Sequence, residues 1–124
     1  MKIGIIGGTG PAGSGLALRL NVAGYDVVIG SRDKARSIEK VNELQSLWPS
    51  HNLTIQGGDN ADAVKCDLVV VATPWDSTAT IVVEFASQLA GKIVVTMANA
   101  LVKVGKEFQP LVPPRGSIAA HVQA

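Results

Sequence analysis

The feature that most constrains the fold of this chain is a cluster of glycines close to its start. The run Gly8-Thr9-Gly10-Pro11-Ala12-Gly13 has the pattern G-x-G-x-x-G; it follows the apolar segment Lys2–Ile6 and precedes a stretch with helical spacing. This pattern joins the first strand to the first helix of dinucleotide-binding folds, where the helix amides and dipole face the phosphates. There Gly8 makes the tight turn, Gly10 lets the backbone approach a pyrophosphate, and Gly13 lets the helix pack closely on the strand. A glycine-rich turn without a ligand is the alternative.

Strand and helix patterns alternate along the chain. Apolar, β-branched runs predict strands at residues 2–6, 26–30, 53–57, 68–72 and 92–96, with the third as an edge strand. Helical spacing predicts helices over residues 13–23, 33–48 and 77–89, and a helical turn over 61–64. The side chains expected to face the core from the second and third helices are Ile38, Val41, Leu44 and Trp48, and Ile81, Val82, Phe85, Ala86 and Leu89. The alternation predicts an α/β fold, a Rossmann-type doubly wound parallel sheet of the NAD(P)-binding kind.

The last part of the chain departs from this alternation. Pro110, Pro113 and Pro114 predict an extended loop, and residues 117–124 begin a helix with no cap and no strand after it. A sheet layer left uncovered there would be unusual. We therefore expect residues 1–124 to form one dinucleotide-binding domain, the amino-terminal part of a longer chain. A frayed terminal helix is the alternative.

Composition excludes several classes of protein. The 124 residues are 47% hydrophobic and 17% charged, which is typical of one compact domain and not of a disordered chain. A net charge of +1 provides no broad basic field for nucleic acid or for an anionic membrane surface. The apolar runs are too short to cross a bilayer, and the early glycines argue against a signal peptide. Because Cys66 is the single cysteine, we expect no internal disulfide and a cytoplasmic location.

The residues after the second strand select the type of dinucleotide. NAD-specific domains place an acidic residue there, which holds the ribose hydroxyl groups. This chain instead has Gly30-Ser31-Arg32, with Asp33 one position later and Arg36 one helical turn after Arg32. Two guanidinium groups and the Ser31 hydroxyl can surround a 2′-phosphate, so the pattern favours NADP over NAD. A solvated helix start rich in arginine is the alternative.

Ligands of such folds also meet the carboxyl ends of the fourth and fifth strands. The segments there are Thr73-Pro74-Trp75 and Met97-Ala98-Asn99. Trp75 and Met97 either line a planar ring or pack in the core.

Both segments offer backbone groups and few acids or bases. Asp76 follows the first segment and is expected to cap the next helix. No nucleophile paired with a base is present in either segment. His51, His121 and Cys66 are isolated, Cys66 is expected to have no nearby basic partner, and no spacing typical of a metal site occurs. We therefore assign no catalytic residue and no metal; the site would act by placing its ligands.

Three segments together resemble a known family. Residues 1–10 read MKIGIIGGTG, residues 13–20 read GSGLALRL, and residues 28–32 read VIGSR. They are similar to the NADPH-dependent reductases of coenzyme F-420 (F420 hereafter), as are residues 73–75, 92–95, 97–101 and 113–117. The resemblance covers essentially the whole chain.

The resemblance implies an oxidoreductase that transfers a hydride between NADP(H) and the deazaflavin of F420. It implies that Thr9, Gly10 and Pro11 contact phosphates and that Ser31, Arg32 and Arg36 hold the 2′-phosphate. It places residues 73–75 along the NADP cleft and residues 97–99 against the deazaflavin. The family also implies a cytoplasmic homodimer whose partners are small-molecule cofactors, with a carboxy-terminal part that encloses F420. Two alternatives remain open: an NADP-dependent reductase with an imine, ketone or metal acceptor, and a non-catalytic NADP sensor.

Overall fold

A computed structural model describes all residues, 1–124. Its main sheet is built from β1 (Lys2–Ile6), β2 (Asp26–Ser31), β3 (Gln56–Asp59), β4 (Leu68–Val71) and β5 (Ile93–Thr96). The helices are α1 (Pro11–Val22), α2 (Lys34–Leu47), α3 (Asn60–Ala63), α4 (Trp75–Glu84), α5 (Ala86–Leu89) and α6 (Ile118–Gln123), with a short 3-10 turn at Pro49–His51. A separate hairpin consists of β6 (Leu101–Val104) and β7 (Glu107–Pro110).

The five strands of the main sheet are all parallel and lie in the order β3-β2-β1-β4-β5. The chain runs outward from β1 to β3 and then returns past β1 to β4 and β5. This reversal leaves a crevice at the carboxyl ends of β1 and β4, where open parallel sheets bind their ligands. The predicted doubly wound sheet is confirmed.

Both faces of the central strands are covered, because these strands are apolar on both sides. Ile93 and Val95 of the edge strand β5 are 69% and 43% exposed. One core cluster joins Ile3, Ile5 and Ile29 to α1 and α2, and a second joins Ile6 and Val69 to α3 and α5. Burial of each such side chain contributes about 1.5–3 kcal/mol to folding. The sheet is therefore a rigid base for the loops at its carboxyl edge.

Helix α2 packs on the sheet through a narrower stripe than its periodicity predicts. Val41 and Leu44 are buried as expected, but Ile38 and Trp48 are each 45% exposed and Ser37 is buried instead. The reason is a close approach of α2 to β3: a Cβ on Gly57 would lie 2.8 Å from the backbone of Ser37 and Ile38. The stripe of Ser37, Val41 and Leu44 lets the helix come that near, and the larger Ile38 lies to its side.

The helix predicted over residues 77–89 is two helices. Phe85 leaves helical geometry (φ −106°, ψ 16°), so α4 ends at Glu84 and α5 begins at Ala86. Thr78 and Leu89 are buried, whereas Ala86 is exposed. Asp76 does not cap α4, because the helix begins at Trp75 after Pro74 and Asp76 already lies in its first turn. Its charge there still complements the helix dipole.

The end of the chain is more ordered than its prolines predict. A hairpin replaces the first part of the expected loop, and Pro110 lies in β7 opposite Leu101. Gly105, with φ +62°, starts the two-residue turn, as glycine does in type II′ hairpins. Helix α6 does have a cap, because the Ser117 hydroxyl accepts a hydrogen bond from the Ala120 N–H at 3.0 Å. No helix of the chain has the length and apolar character needed to span a membrane.

Gly4 provides a test of this packing. A Cβ at this position would lie 1.9 Å from the carbonyl oxygen of Ala63, since α3 rests directly on β1. We expect Gly4→Ala to lower the free energy of unfolding by about 3 kcal/mol or more, measured by urea denaturation. Gly15→Ala is the matched control: the space around Gly15 is open, and the change in α1 should stabilise the fold by about 0.4–1 kcal/mol. Equal stability of Gly4→Ala and the unmodified protein would contradict this packing.

Candidate dinucleotide-binding cleft

An open cleft of about 630 Å³ lies at the carboxyl edge of the sheet, within the size range of small-molecule sites. The β1–α1 turn, the start of α2, the end of β4 and one side of α4 form its walls. The residues predicted from sequence that line it are Thr9, Gly10, Pro11, Ala12, Gly13, Ser31, Arg32, Arg36, Thr73 and Pro74. Residues from three separate stretches of sequence therefore meet in one place.

One glycine of the turn, Gly8, has a role different from the one predicted for it. Gly7, with φ +68°, adopts the left-handed conformation, so the tight turn belongs to Gly7 and not to Gly8. Gly8 is a packing residue beneath the cleft: a Cβ there would lie 2.9 Å from Ile29 Cγ2, and its N–H donates to the Gly30 carbonyl at 2.9 Å. Gly13 acts as predicted, because a Cβ there would lie 2.8 Å from Gly8 Cα.

Gly10 stands out because nothing in the chain requires it to be glycine. Its φ of −73° and ψ of 169° suit any residue, and no atom lies within 4 Å of the position of a Cβ. That open space faces the cleft. An approaching phosphate requires such a space next to the start of a helix, with no side chain to block the backbone amides.

The amino-terminal end of α1 is left free for an anion. The first intrahelical bond runs from the Ser14 N–H to the Gly10 carbonyl, so the N–H groups of Ala12 and Gly13 have no partner within the helix. Pro11 has no N–H and presets the helical φ. No side chain caps this 12-residue helix and no acidic residue lies in its first turn. Its positive dipole end is thus uncompensated.

The arginine side of the cleft lacks a free acid. Asp33 is the nearest carboxylate, and its Oδ1 accepts a hydrogen bond from the Ala35 N–H at 3.0 Å as the cap of α2. The hydroxyl of Ser31, which is buried, accepts from the Asp33 N–H at 3.3 Å. Arg32 and Arg36 form no ion pair with a carboxylate. Their guanidinium groups are therefore available to an anionic ligand.

Helix α4 contributes a wall that sequence analysis missed. Ser77, Thr80, Ile81 and Glu84 line the cleft at spacings of three and four residues, which is one face of a helix. The start of this wall is fixed by hydroxyl groups, because Thr78 Oγ1 donates to the Pro74 carbonyl at 3.0 Å and lies 3.1 Å from Thr73 Oγ1. The helical periodicity of residues 77–84 predicts the helix, but it does not indicate that the polar side of this helix faces a ligand.

Five predicted site residues do not line this cleft: Gly8 packs beneath it, and the other four are Trp75, Met97, Ala98 and Asn99. Trp75 points toward the hairpin, and its Nε1 donates to the Leu101 carbonyl at 3.1 Å. Met97 is partly exposed, and its N–H extends the pairing of β5 to Val71. Ala98 and Asn99 line a second groove of about 430 Å³ between the end of β5 and the hairpin.

Asn60 is a further cleft residue that sequence analysis missed. It is the first residue of α3, is buried, and lines the cleft beneath the glycine turn. Asp59 and Asp62 hold this helix start in a capping box. The Asp59 N–H lowers the pKa of Asp62 below its ordinary value of 3.8, against the opposing effect of desolvation. The D-x-x-D spacing of Asp59 and Asp62 indicates the helix cap, but it does not indicate that Asn60, which follows Asp59, reaches the cleft.

Other titratable groups lie away from the cleft. Burial raises the pKa of the Cys66 thiol, although Lys2 and Lys92 oppose this shift, so the expectation that no basic group is near Cys66 was wrong. His51 stacks at a tilt beside Trp48, and His121 lies on α6. The chain has no cluster of three or more His, Cys, Asp or Glu that could hold a metal ion.

Comparisons with known proteins agree with this geometry. The family model described as "NADP oxidoreductase coenzyme F420-dependent" matches residues 2–100. The F420-dependent NADP reductase of Methanocaldococcus jannaschii is 37% identical over 128 residues, which cover 99% of this chain and 57% of that protein. The reductase of the same name from Methanothermobacter thermautotrophicus is 34% identical over 96 residues, covering 77% of this chain and 41% of that protein.

A crystal structure from Arthrobacter sp. FB24, described as a candidate F420-dependent NADP-reductase, superposes with a TM-score of 0.77. It is 31% identical, and the match covers 99% of this chain and 56% of that one. The chain thus spans about half the length of the relatives that it matches. Because the family model covers most of its residues, the chain belongs to the family of coenzyme F420-dependent NADP oxidoreductases.

Proposed function

We propose that the cleft binds NADP(H) and that the protein transfers a hydride between NADP(H) and coenzyme F420. The observation that carries this proposal is the open space at Gly10, beside the unpartnered amides of Ala12 and Gly13 and in the same cleft as Arg32 and Arg36. The names of the relatives combine F420 with NADP and support the choice of both cofactors. They give no support to an imine, ketone or metal acceptor or to a sensor module.

Each part of the cleft has a role in this proposal. The turn of Thr9, Gly10 and Pro11 and the first amides of α1 hold the pyrophosphate by hydrogen bonds and by the helix dipole. Arg32 and Arg36 bind the 2′-phosphate, with which planar guanidinium groups form paired, charge-assisted hydrogen bonds. Asp33 Oδ1 caps α2, so that oxygen is not available to the ribose. The two arginines would therefore select NADP over NAD.

The chemistry needs placement from the chain and no proton transfer by a side chain. When bound, the nicotinamide and the deazaflavin supply a hydride donor and a hydride acceptor. Residues of the chain would hold the two rings in contact, about 3–3.5 Å apart, and exclude water. We assign Thr73 and Pro74, which line the cleft, to the nicotinamide, together with Trp75, which lies just beyond the cleft beside the hairpin. We assign Met97, Ala98 and Asn99 to the deazaflavin.

The assembly and its location are also proposals. We propose a homodimer that acts in the cytoplasm on small-molecule cofactors, without nucleic acid or membrane partners. The family resemblance and the single, buried Cys66, which forms no disulfide, support this view.

Gly10→Val tests the position of the pyrophosphate. The valine side chain would fill the open space without straining the backbone, so we expect NADPH binding to be lost while stability changes by less than about 0.5 kcal/mol. Calorimetric titration and urea unfolding measure the two effects. Gly15→Ala is the control, since Gly15 has equally open surroundings but does not line the cleft. Normal NADPH binding by Gly10→Val would show that the loop has a structural role only.

Arg32→Asp tests the selection of NADP. Loss of charge-assisted hydrogen bonds worth about 1.5–3 kcal/mol should raise the Kd of NADPH by roughly ten- to a hundredfold, with a much smaller effect on NADH. Arg19→Asp makes the same change of charge in the last turn of α1, away from the cleft, and should leave both affinities unchanged. An equal loss of NADPH and NADH binding would refute the assignment, as would tighter binding of NADH by the unmodified protein.

The proposed reaction is tested by mixing the intact protein with NADPH and F420 and following the bleaching of the deazaflavin. We expect turnover with F420 and none with flavin mononucleotide, since F420 is the proposed ligand of the acceptor site. Binding of NADPH without any reduction of F420 would reject the proposed acceptor while leaving the NADP site in place.

A further inference from the structure

Asn60 occupies the centre of the cleft floor. It follows β3 as the first residue of α3, is only 5% exposed, and lines the cleft. A Cβ on Gly30 would lie 3.0 Å from its Oδ1. Because Gly30 directly precedes Ser31, Asn60 lies between the glycine turn and the residues assigned to the 2′-phosphate.

The hydrogen bonds of Asn60 determine the orientation of its amide. The Gly7 N–H donates to Asn60 Oδ1 at 3.2 Å. A backbone N–H can only donate, so the side-chain atom that faces it must be the carbonyl oxygen. The Nδ2 group then carries two N–H donors, and neither has a hydrogen-bond partner within the chain. Ser37 Oγ is the one fully buried side-chain polar atom without a partner, so Asn60 Nδ2 keeps some accessible surface, and the cleft is the cavity that Asn60 lines. Its donors are therefore open to an acceptor that lies in the cleft.

The position of Asn60 is fixed from both sides. In the capping box, Asp59 Oδ1 accepts from the Asp62 N–H at 2.8 Å and Asp62 Oδ2 accepts from the Asp59 N–H at 3.1 Å. The Ala63 backbone rests against Gly4 of β1. With α3 held in this way, the amide of Asn60 cannot turn away from the cleft without giving up its bond to Gly7. Its donors are preorganised for a ligand.

We infer that Asn60 is a nucleotide-binding residue whose Nδ2 donates a hydrogen bond to an oxygen on the adenosine half of the bound dinucleotide. The acceptor is a 5′-phosphate oxygen or a ribose oxygen, since these are the groups that lie between the turn and the Ser31–Arg36 segment in the proposed NADP site. The same side chain then joins the ligand to the Gly7 turn. This inference depends on the proposed NADP site.

Asn60→Asp is the most direct test. Aspartate has the same shape and keeps an acceptor for the Gly7 N–H, but it replaces the two donors by an oxygen and adds a negative charge that repels the phosphates. The Nδ2 resonances of Asn60 in the unmodified protein separate the lost hydrogen bond from this repulsion. We expect the Kd of NADP to rise by about ten- to a hundredfold in calorimetry. Asn42→Asp makes the same chemical change on the exposed side of α2, outside the cleft, and should bind NADP as the unmodified protein does.

Fragments of the ligand identify the acceptor. Adenosine 2′,5′-bisphosphate carries the ribose and both phosphates, adenosine 2′-phosphate lacks the 5′-phosphate, and nicotinamide mononucleotide lacks the adenosine half. Weaker binding of both adenosine fragments by Asn60→Asp would identify a ribose oxygen. Weaker binding of the bisphosphate alone would identify the 5′-phosphate. If Asn60 were only structural, Asn60→Asp would bind NADP with unchanged affinity, and this result would overturn the inference.

A second measurement does not depend on the variant folding. In the unmodified protein labelled with ¹⁵N-asparagine, saturation with adenosine 2′,5′-bisphosphate should shift the Nδ2 resonances of Asn60 and leave those of Asn42 unchanged. Unchanged Asn60 resonances in the presence of bound ligand would overturn the inference and leave the proposed function standing. Absence of any NADP binding by the unmodified protein would instead overturn the proposed function, and the inference with it.

Discussion

The rest of the structure depends on the close contact between the β1–α1 turn and the strand ends beside it. Gly8 and Gly13 lie so near one another that a side chain on Gly13 would meet the Gly8 backbone. The Gly8 N–H bonds to Gly30 on one side, and the Gly7 N–H bonds to Asn60 below. These contacts set where α1 begins, and therefore where its free amides point. The cleft exists because the chain has no side chains at the positions where backbones must touch.

The two grooves at this edge of the sheet are physically joined. Pro74 lines the cleft, and the next residue, Trp75, donates its indole N–H to the Leu101 carbonyl at the start of the hairpin. The second groove, which contains Ala98 and Asn99, lies along that same hairpin. Trp75 therefore connects the wall of the cleft to the hairpin that borders the second groove. Such an arrangement suits a reaction in which two bound rings must be held together and no side chain transfers a proton.

Sequence patterns predicted what depends on local periodicity and on backbone freedom. The strand order reverses where the alternation of strands and helices required, and ten of the predicted site residues meet in one cleft because each follows a parallel strand. Errors arose where tertiary contacts decide. Ile38 fits the apolar period of α2, but the approach of the helix at Gly57 leaves it at the side. The turn conformation lies at Gly7, just before the motif, and not at Gly8, its first residue, because Gly8 packs against Ile29. Asn60 and Glu84 reach the cleft through the fold alone, so no local motif marked them.

In the proposed site, NADP lies with its pyrophosphate at the start of α1 and its 2′-phosphate between Arg32 and Arg36. Paired titrations of the ¹⁵N-labelled protein with NADP and with NAD test it most directly, because the two ligands differ only in the 2′-phosphate. We expect both ligands to shift the amide resonances of Ala12 and Gly13. We expect NADP alone to shift strongly those of Ser31, Arg32 and Arg36. Shifts confined to the second groove around Asn99, or an identical pattern for the two dinucleotides at residues 31–36, would contradict it.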